Sequence, residues 1–545
     1  MITRFSRRAL PAVAAAALLA GCSGSAGSTD AASGTPSPAA TTAPTPSDPP
    51  TATPTPTATP TPTVKPTGQA DPALKAFYGQ QLAWAACQDD PKTEKTDESK
   101  AQCATLKVPL DYANPSGETL DVAVARSLAA KPDQRIGSIV INPGGPGGAG
   151  AGMIRRYPKQ FKGAVDERFD TVGFDPRGAG ETSPVNCLDD KTRDEWLTTD
   201  NPGPDHGKVL ADACQAKYGK LLPFIGTRNT VRDMDVLRAA LGDQKLNYLG
   251  LSYGTYIGSV YAEEFPDRVG RLVLDGAVDP AKPLAENNVE QYAGFERSLR
   301  AFAANCAKKD QCPLGKDPEK AADKLADFLD GLKQKPLKTA SGRLLTANAA
   351  WTGMIEGLYG DESAWDDLRN SLGWAMVRGK GDNLLAYTDT YNKRDKEGHF
   401  NVSADAYTAI YCADGATNVP TGDALQAAYA EMAAKAPLIS RREPSMALFD
   451  PDCRNWPFRS TEQAHPIASK AANPIVVVGS TGDAATPYAN AEKLAAQLGN
   501  AVLLTREGEG HTGYGRSTCI RDSVDAYLLE GTVPAAGIRC ATDKE

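Results

Sequence analysis

Six short apolar runs punctuate the chain: Ile136 to Ile141, Phe169 to Phe174, Leu246 to Leu251, Leu272 to Leu274, Ile475 to Val478 and Val502 to Leu504. Largely apolar runs of this length fit strands of a parallel sheet covered on both faces, where no side of the strand meets water. Helical spacing appears between several of them. Val231, Met234, Leu237 and Leu241 recur until Gly242 stops the run, and Thr230-Val231-Arg232-Asp233 has the form of a capping box. Upstream, Cys103 to Ser127 reads as a hairpin around the turn residues Asn114-Pro115-Ser116-Gly117. The pattern is βαβ, and it predicts an α/β fold with a doubly wound, mostly parallel sheet.

Between Asp279 and about Pro474 the strand signals fade, and segments such as Lys320 to Leu332 and Ala424 to Ala434 look helical. A helical stretch of that length between two sheet strands reads as an inserted lid. The expected division is a core over 71–282, a helical lid insertion over 283–470 and the rest of the core over 471–545. The N-terminus is different in kind. Arg4, Arg7 and Arg8 precede a brief apolar run from Ala9 to Ala20, the form of a signal peptide over 1–21. Its end, Leu19-Ala20-Gly21-Cys22, resembles the bacterial lipobox, which makes Cys22 the lipidated mature N-terminus; the alternative is an ordinary secretory signal and a released protein. Residues 22–70, with their TPTPTATPTPT run, have almost nothing large and apolar to bury and read as an extended tether.

Composition narrows the partners. The net charge of −8 and the lack of a basic cluster argue against nucleic acid. Of 11 cysteines, setting Cys22 aside leaves ten, an even number that in an exported chain implies up to five disulfides. Chain order makes neighbour pairs attractive, namely Cys87 with Cys103, Cys187 with Cys214, Cys306 with Cys312, Cys412 with Cys453 and Cys519 with Cys540, but leaves the connectivity open. No Cys-x-x-Cys spacing suggests a metal, and no motif calls for a cofactor.

The candidate chemistry starts at Gly250-Leu251-Ser252-Tyr253-Gly254, which follows one strand signal and precedes a helical one from Tyr256 to Phe265. Small residues flanking a serine on a tight strand-to-helix turn are the signature of an exposed nucleophile. A serine needs a base, and of His206, His399, His465 and His511 only His511 follows a late strand signal, in the loop Gly508 to Gly515. The imidazole needs a carboxylate, and Asp483 leaves the run from Ile475 to Val478 in Gly479-Ser480-Thr481-Gly482-Asp483. An oxyanion would be met by the Tyr253 N–H and by a donor from the loop Asn142 to Gly148. Thr486 has two readings, a support for the triad or the cap of a helix that begins at Pro487.

The stretches INPGGPGGAG, FDPRGAGETSP, RDMDVLRAALGDQKLNYLGLSYGTYIG, FPDRVGRLVLDGAVDP, CPLG, YCAD, GDAATP and GEGHTGYG, in this order, resemble the actinobacterial tripeptidyl aminopeptidase group of α/β-hydrolase serine exopeptidases, relatives of proline iminopeptidase. The resemblance implies a Ser252, Asp483, His511 triad, an oxyanion hole at Gly145 and Tyr253, and a lid that admits the unblocked ends of short peptides. One departure bears on specificity: proline iminopeptidases usually carry a His before the Gly-Gly-Pro-Gly loop, and this chain has Asn142-Pro143. An aminopeptidase also needs an anion for the substrate's α-ammonium. Asp414, in the family-like YCAD segment, is the first candidate, with Glu286 and Glu290 behind it. Two other functions compete: a carboxylesterase or lipase using the same triad, and a non-catalytic binding lipoprotein on a hydrolase fold.

Overall fold

The computed structural model describes residues 68–87, 101–161, 163–200, 205–416, 422–441, 453, 455–458 and 460–543. The leader, Cys22 and the tether as far as residue 67 lie outside the described residues. Strands β1 (Ala85–Ala86), β2 (Ala101–Pro109) and β3 (Thr119–Ser127) open the fold, followed by β4 (Gly137–Asn142), β5 (Phe169–Phe174), β6 (Leu246–Leu251) and β7 (Val269–Asp275). A small separate pair, β8 (Leu337–Lys338) and β9 (Leu344–Leu345), precedes β10 (Ile475–Gly482), β11 (Ala501–Glu509) and β12 (Arg539–Ala541). The main sheet has ten strands in the order β1-β2-β3-β5-β4-β6-β7-β10-β11-β12. Pairing is antiparallel from β1 to β5 and parallel from β5 to β12.

Burial on both faces explains the apolar runs. Ile139, Ile141, Leu249, Val273, Val476 and Val478 pack with Ile154, Val524 and Leu528 on one side. Their strand neighbours Val140, Tyr248, Leu272, Leu274 and Val477 pack with Val231, Met234, Val260 and Leu494 on the other. Side chains alternate between faces, so a strand covered twice has no polar face left to show in its sequence.

The capping box expected at Thr230 is not formed. The helix there runs Thr227–Ala240, one turn earlier, and Thr230 is buried inside it. Asp233, the acidic end of the supposed box, instead holds Arg177 by two hydrogen bonds of 2.6 and 2.8 Å and accepts the Tyr112 hydroxyl at 2.8 Å. The helix is capped from far away in sequence: the Asp414 carboxylate accepts the Thr227 N–H at 2.6 Å.

Between β7 and β10 the chain forms helices Leu284–Ala307, Pro318–Gly331, Ala347–Leu358, Trp365–Arg378, Asp382–Tyr391, Ala406–Tyr411 and Gly422–Lys435. Several of them share a core of their own, with Phe295, Leu299, Leu325, Trp351, Met354, Trp365 and Leu368, which touches the sheet domain through Ala484 and Ala485. Polar clamps join the two layers at one place. Arg297 meets Glu509 at 2.8 Å, Arg516 meets Asp361 at 2.6 Å, and the His511 N–H donates to the Tyr359 carbonyl at 3.0 Å. Cysteines form the five neighbour pairs, 87–103, 187–214, 306–312, 412–453 and 519–540. Among the described residues no helix is long and apolar enough to cross a membrane.

Candidate active site

Ser252 stands between β6 and the helix Tyr253–Glu264 with φ 56° and ψ −122°. This is left-handed territory that costs a non-glycine residue on the order of 1–3 kcal/mol, so the surrounding backbone must hold it. It does so through the Ser252 N–H, which donates to the Asp275 carbonyl at 2.8 Å at the end of β7. The flanking glycines are sterically required. A Cβ on Gly250 would lie 2.3 Å from the Gly254 carbonyl oxygen, and one on Gly254 would lie 2.9 Å from that of Asn142.

The loop after β4 packs on this turn: a Cβ on Gly144 would meet the Leu251 carbonyl at 2.5 Å and the Ser252 Cβ at 2.9 Å. Asn142 fixes the loop by accepting the Gly144 N–H on Oδ1 at 2.9 Å. That donor is therefore consumed. Among the described residues neither the Gly145 nor the Tyr253 N–H has a hydrogen-bond partner, so both are available to a negative oxygen.

His511 lies beyond β11, after Gly508 and Gly510, both at positive φ. Its Nδ1 is 2.9 Å from each oxygen of Asp483. Burial pushes the Asp483 carboxyl up, but the His511 imidazole and the N–H groups of Thr486 and Thr512 outweigh it and hold it below the ordinary value. Nε2, the other imidazole nitrogen, is buried and has no partner among the described residues. It sits on the same strand end as the serine. Gly276 follows the residue that holds the Ser252 N–H, and a Cβ there would meet His511 Cε1 at 3.1 Å. The remaining histidines are occupied elsewhere: His399 pairs with Asp190, His465 pairs with Glu263, and His206 stacks on Trp196.

Thr486 does not cap the following helix. That helix runs Tyr488–Leu498 with Pro487 at the cap position and no side-chain cap. The Thr486 hydroxyl donates instead to Asp483 Oδ2 at 3.0 Å and lies 3.2 Å from His511 Nδ1. Replacing it with valine removes one donor from a buried carboxylate, an interaction worth about 1.5–3 kcal/mol when one partner is charged. Thr486→Val is therefore expected to lower kcat about tenfold or more while KM stays near the parent value, and Thr486→Ser is expected to restore it. Steady-state kinetics on the folded fraction would show this; unchanged kcat in a less stable Thr486→Val would leave the hydroxyl with a structural role alone.

Two neighbours carry no sequence signal. Asp275 is fully buried, and its carboxylate accepts the Gly513 and Tyr514 N–H groups at 2.8 Å each, just past His511. One residue thus anchors the serine through its carbonyl and the histidine loop through its side chain; burial pushes its carboxyl up to about 6. The Tyr359 ring packs edge-on against the His511 imidazole, centroids 5.4 Å apart.

The expected ammonium anchors fare differently. Asp414 lies beside the site, but its oxygens are committed. Oδ1 takes the Thr227 N–H, and Oδ2 takes the hydroxyls of Thr227 and Tyr253. In this structure Asp414 caps a core helix and ties the helical layer to the turn after Ser252. Burial pushes its carboxyl up to about 6 in spite of those donors. Glu290 is ion-paired with Lys282, which neutralises it. Glu286 is an exposed residue in the first turn of the helix Leu284–Ala307.

A family model described as TAP-like protein matches residues 443–540. Serine protease Hip1 of Mycobacterium tuberculosis is 38% identical over 498 residues, covering 86% of this chain and 92% of that protein. Carboxylesterase B of the same organism is 36% identical over 474 residues, covering 85% and 90%. Tripeptidyl aminopeptidase of Streptomyces lividans is 32% identical over 494 residues, covering 84% and 86%. With an α/β-hydrolase sheet and likeness along most of its length, the chain belongs to the tripeptidyl-aminopeptidase-like group of α/β-hydrolase serine hydrolases.

Proposed function

We propose that this serine hydrolase is an exported aminopeptidase that releases short N-terminal peptides, tripeptides above all, through an acyl-enzyme on Ser252. The observation that carries the chemistry is the buried Asp483–His511 pair at 2.9 Å with Nε2 left unpartnered next to the strained Ser252 turn. Ser252 Oγ attacks the scissile carbonyl as Nε2 takes its proton, and Asp483 stabilises the imidazolium that results. The negative oxygen is met by the Gly145 and Tyr253 N–H groups. Collapse breaks the C–N bond, with His511 returning the proton to the departing amine. Water then repeats the sequence on the ester and frees the peptide acid.

The names of the relatives from Streptomyces and Mycobacterium support peptide bonds as substrate, and the helices over the site act as the lid that excludes mid-chain segments. The leader and the Cys22 motif support export and lipid attachment at the outer face of the membrane, with peptides that carry a free N-terminus as substrates and the membrane met through the lipid anchor alone. The test compares free and N-acetylated forms of a good peptide anilide. Loss of a half-buried charge contact costs about 2–5 kcal/mol, so acetylation should lower kcat/KM by at least about thirtyfold. Equal cleavage of both forms would end the exopeptidase reading. A second reading, hydrolysis of carboxylic esters, is favoured by the relative named carboxylesterase B. It would then take over if short acyl esters outpace peptides after correction for their intrinsic reactivity.

A further inference from the structure

We propose that Glu356 is the anion that receives the substrate's α-ammonium group. The proposal rests on the aminopeptidase reading above and adds the residue that holds the amine.

Three carboxylates are buried among the described residues of 283–470: Glu296, Glu356 and Asp405. Two of them are satisfied. Glu296 accepts the Leu438 and Ile439 N–H groups and pairs with Arg300, and Asp405 pairs with Arg193 and accepts the Cys187 N–H. Glu356 is 7% exposed, its Oε2 is enclosed without a hydrogen bond, and it forms no ion pair with a described residue. Burying a carboxylate without a partner is costly, and proteins keep such a group where a ligand completes it. Burial pushes it up to about 7 against the field of Lys393.

Its position fits the task. Asn348, Thr352 and Glu356 recur at four-residue spacing on the helix Ala347–Leu358 and retain 6, 7 and 7% exposure, while Ala349, Ala350 and Met354 retain none. Lys393, whose charge reaches Glu356, also feels Arg156, the last residue of the helix that follows the Gly-rich loop. Along its own helix Glu356 precedes Tyr359 by three residues, about 4.5 Å of rise. The Tyr359 ring lies 5.4 Å from the His511 ring. The end of the helix that carries Glu356 therefore packs against the triad histidine.

The experiment uses the full-length protein and di-, tri- and tetrapeptide anilides, each with a free amine and as the des-amino analogue, on the parent, Glu356→Gln and Glu356→Asp. Glu356→Gln is isosteric and removes an unpaired buried charge, so it should fold; fluorophosphonate labelling of Ser252 within threefold of the parent rate reports this. The expected result is that Glu356→Gln lowers kcat/KM for the free tripeptide anilide at least about thirtyfold, the low end for a lost charge contact. The des-amino analogue should stay within about threefold, since no ammonium is there to lose. Glu356→Asp should keep most of the discrimination. Asp414→Asn should keep the free to des-amino ratio whatever it does to turnover. Glu356→Gln retaining the parent ratio, or Asp414→Asn losing it instead, overturns the assignment. A parent enzyme indifferent to the amine fails one step earlier, and takes the aminopeptidase reading down with it.

Discussion

Ser252→Ala should lose fluorophosphonate labelling and lower kcat for peptides and esters alike, by on the order of a millionfold, the cost of removing a serine nucleophile from an intact site. The protein should still fold. The Ser252 N–H bond to the Asp275 carbonyl is a backbone contact and survives, and the left-handed φ of 56° is as hard for alanine as for serine. Deleting one hydroxyl opens no large cavity, so stability should change by about 1 kcal/mol or less. Thermal unfolding and single-turnover kinetics on the same preparation separate the two effects. Turnover within tenfold of the parent would mean that another residue attacks the substrate, and the mechanism proposed here would fall.

Much of the fold was legible because strands buried on both faces must be apolar throughout, and β4, β5 and β6 therefore stand out within a residue or two of their bounds. The missing parts are polar and satisfied at a distance. Ser480 and Thr481 extend β10, and Arg506 extends β11, yet none belongs to an apolar run. They pay their way by mutual bonding: Arg506 donates to Ser480 at 2.9 Å and to the Glu509 and Gly510 carbonyls at 2.7 and 2.8 Å. That buried arginine sets the loop from which His511 projects. β12 has three residues and is held by the Cys519–Cys540 disulfide, a pair the chain order suggests, and by β11, a pairing its own sequence does not show.

Candidate site residues divide along the same line. Ser252, Asp483 and His511 stand out by position, because each lies at or just beyond the end of a strand signal. Strand ends offer no such guide to an acid that would hold a substrate's ammonium. The YCAD segment points to Asp414, and its sequence shows nothing of the helix N-terminus 187 residues away and the Tyr253 hydroxyl that bind its oxygens. Glu356 lies inside the apolar stretch Trp351 to Tyr359, where a sequence pattern reads one acid in a helix as a solvated face, and only packing reveals that it is enclosed.

Asp483→Asn should lower kcat by on the order of 10⁴-fold with little change in KM, because it reverses the hydrogen-bond polarity that fixes the imidazole. In the structure Oδ1 accepts the Ala485 and Thr486 N–H groups at 3.0 and 2.9 Å, and Oδ2 accepts the Thr486 hydroxyl and the Thr512 N–H at 3.0 and 3.1 Å. An asparagine must put its one oxygen on one of these sets. The pair of N–H donors from Ala485 and Thr486 holds it on their side, which turns the amide NH₂ toward Thr512 and His511. Nδ1 then becomes an acceptor, the ring proton moves to Nε2, and Nε2 no longer accepts the Ser252 proton. Binding contacts are untouched, so the loss falls on kcat. The tautomer itself is observable by the ¹⁵N shifts of the labelled imidazole, which should show Nε2 protonated in the variant. If Asp483→Asn kept more than a tenth of the parent turnover, the acid's role would pass to Asp275. That residue is the other buried carboxylate at this loop, its oxygens now on the Gly513 and Tyr514 N–H groups, and Asp275→Asn would then show the larger loss.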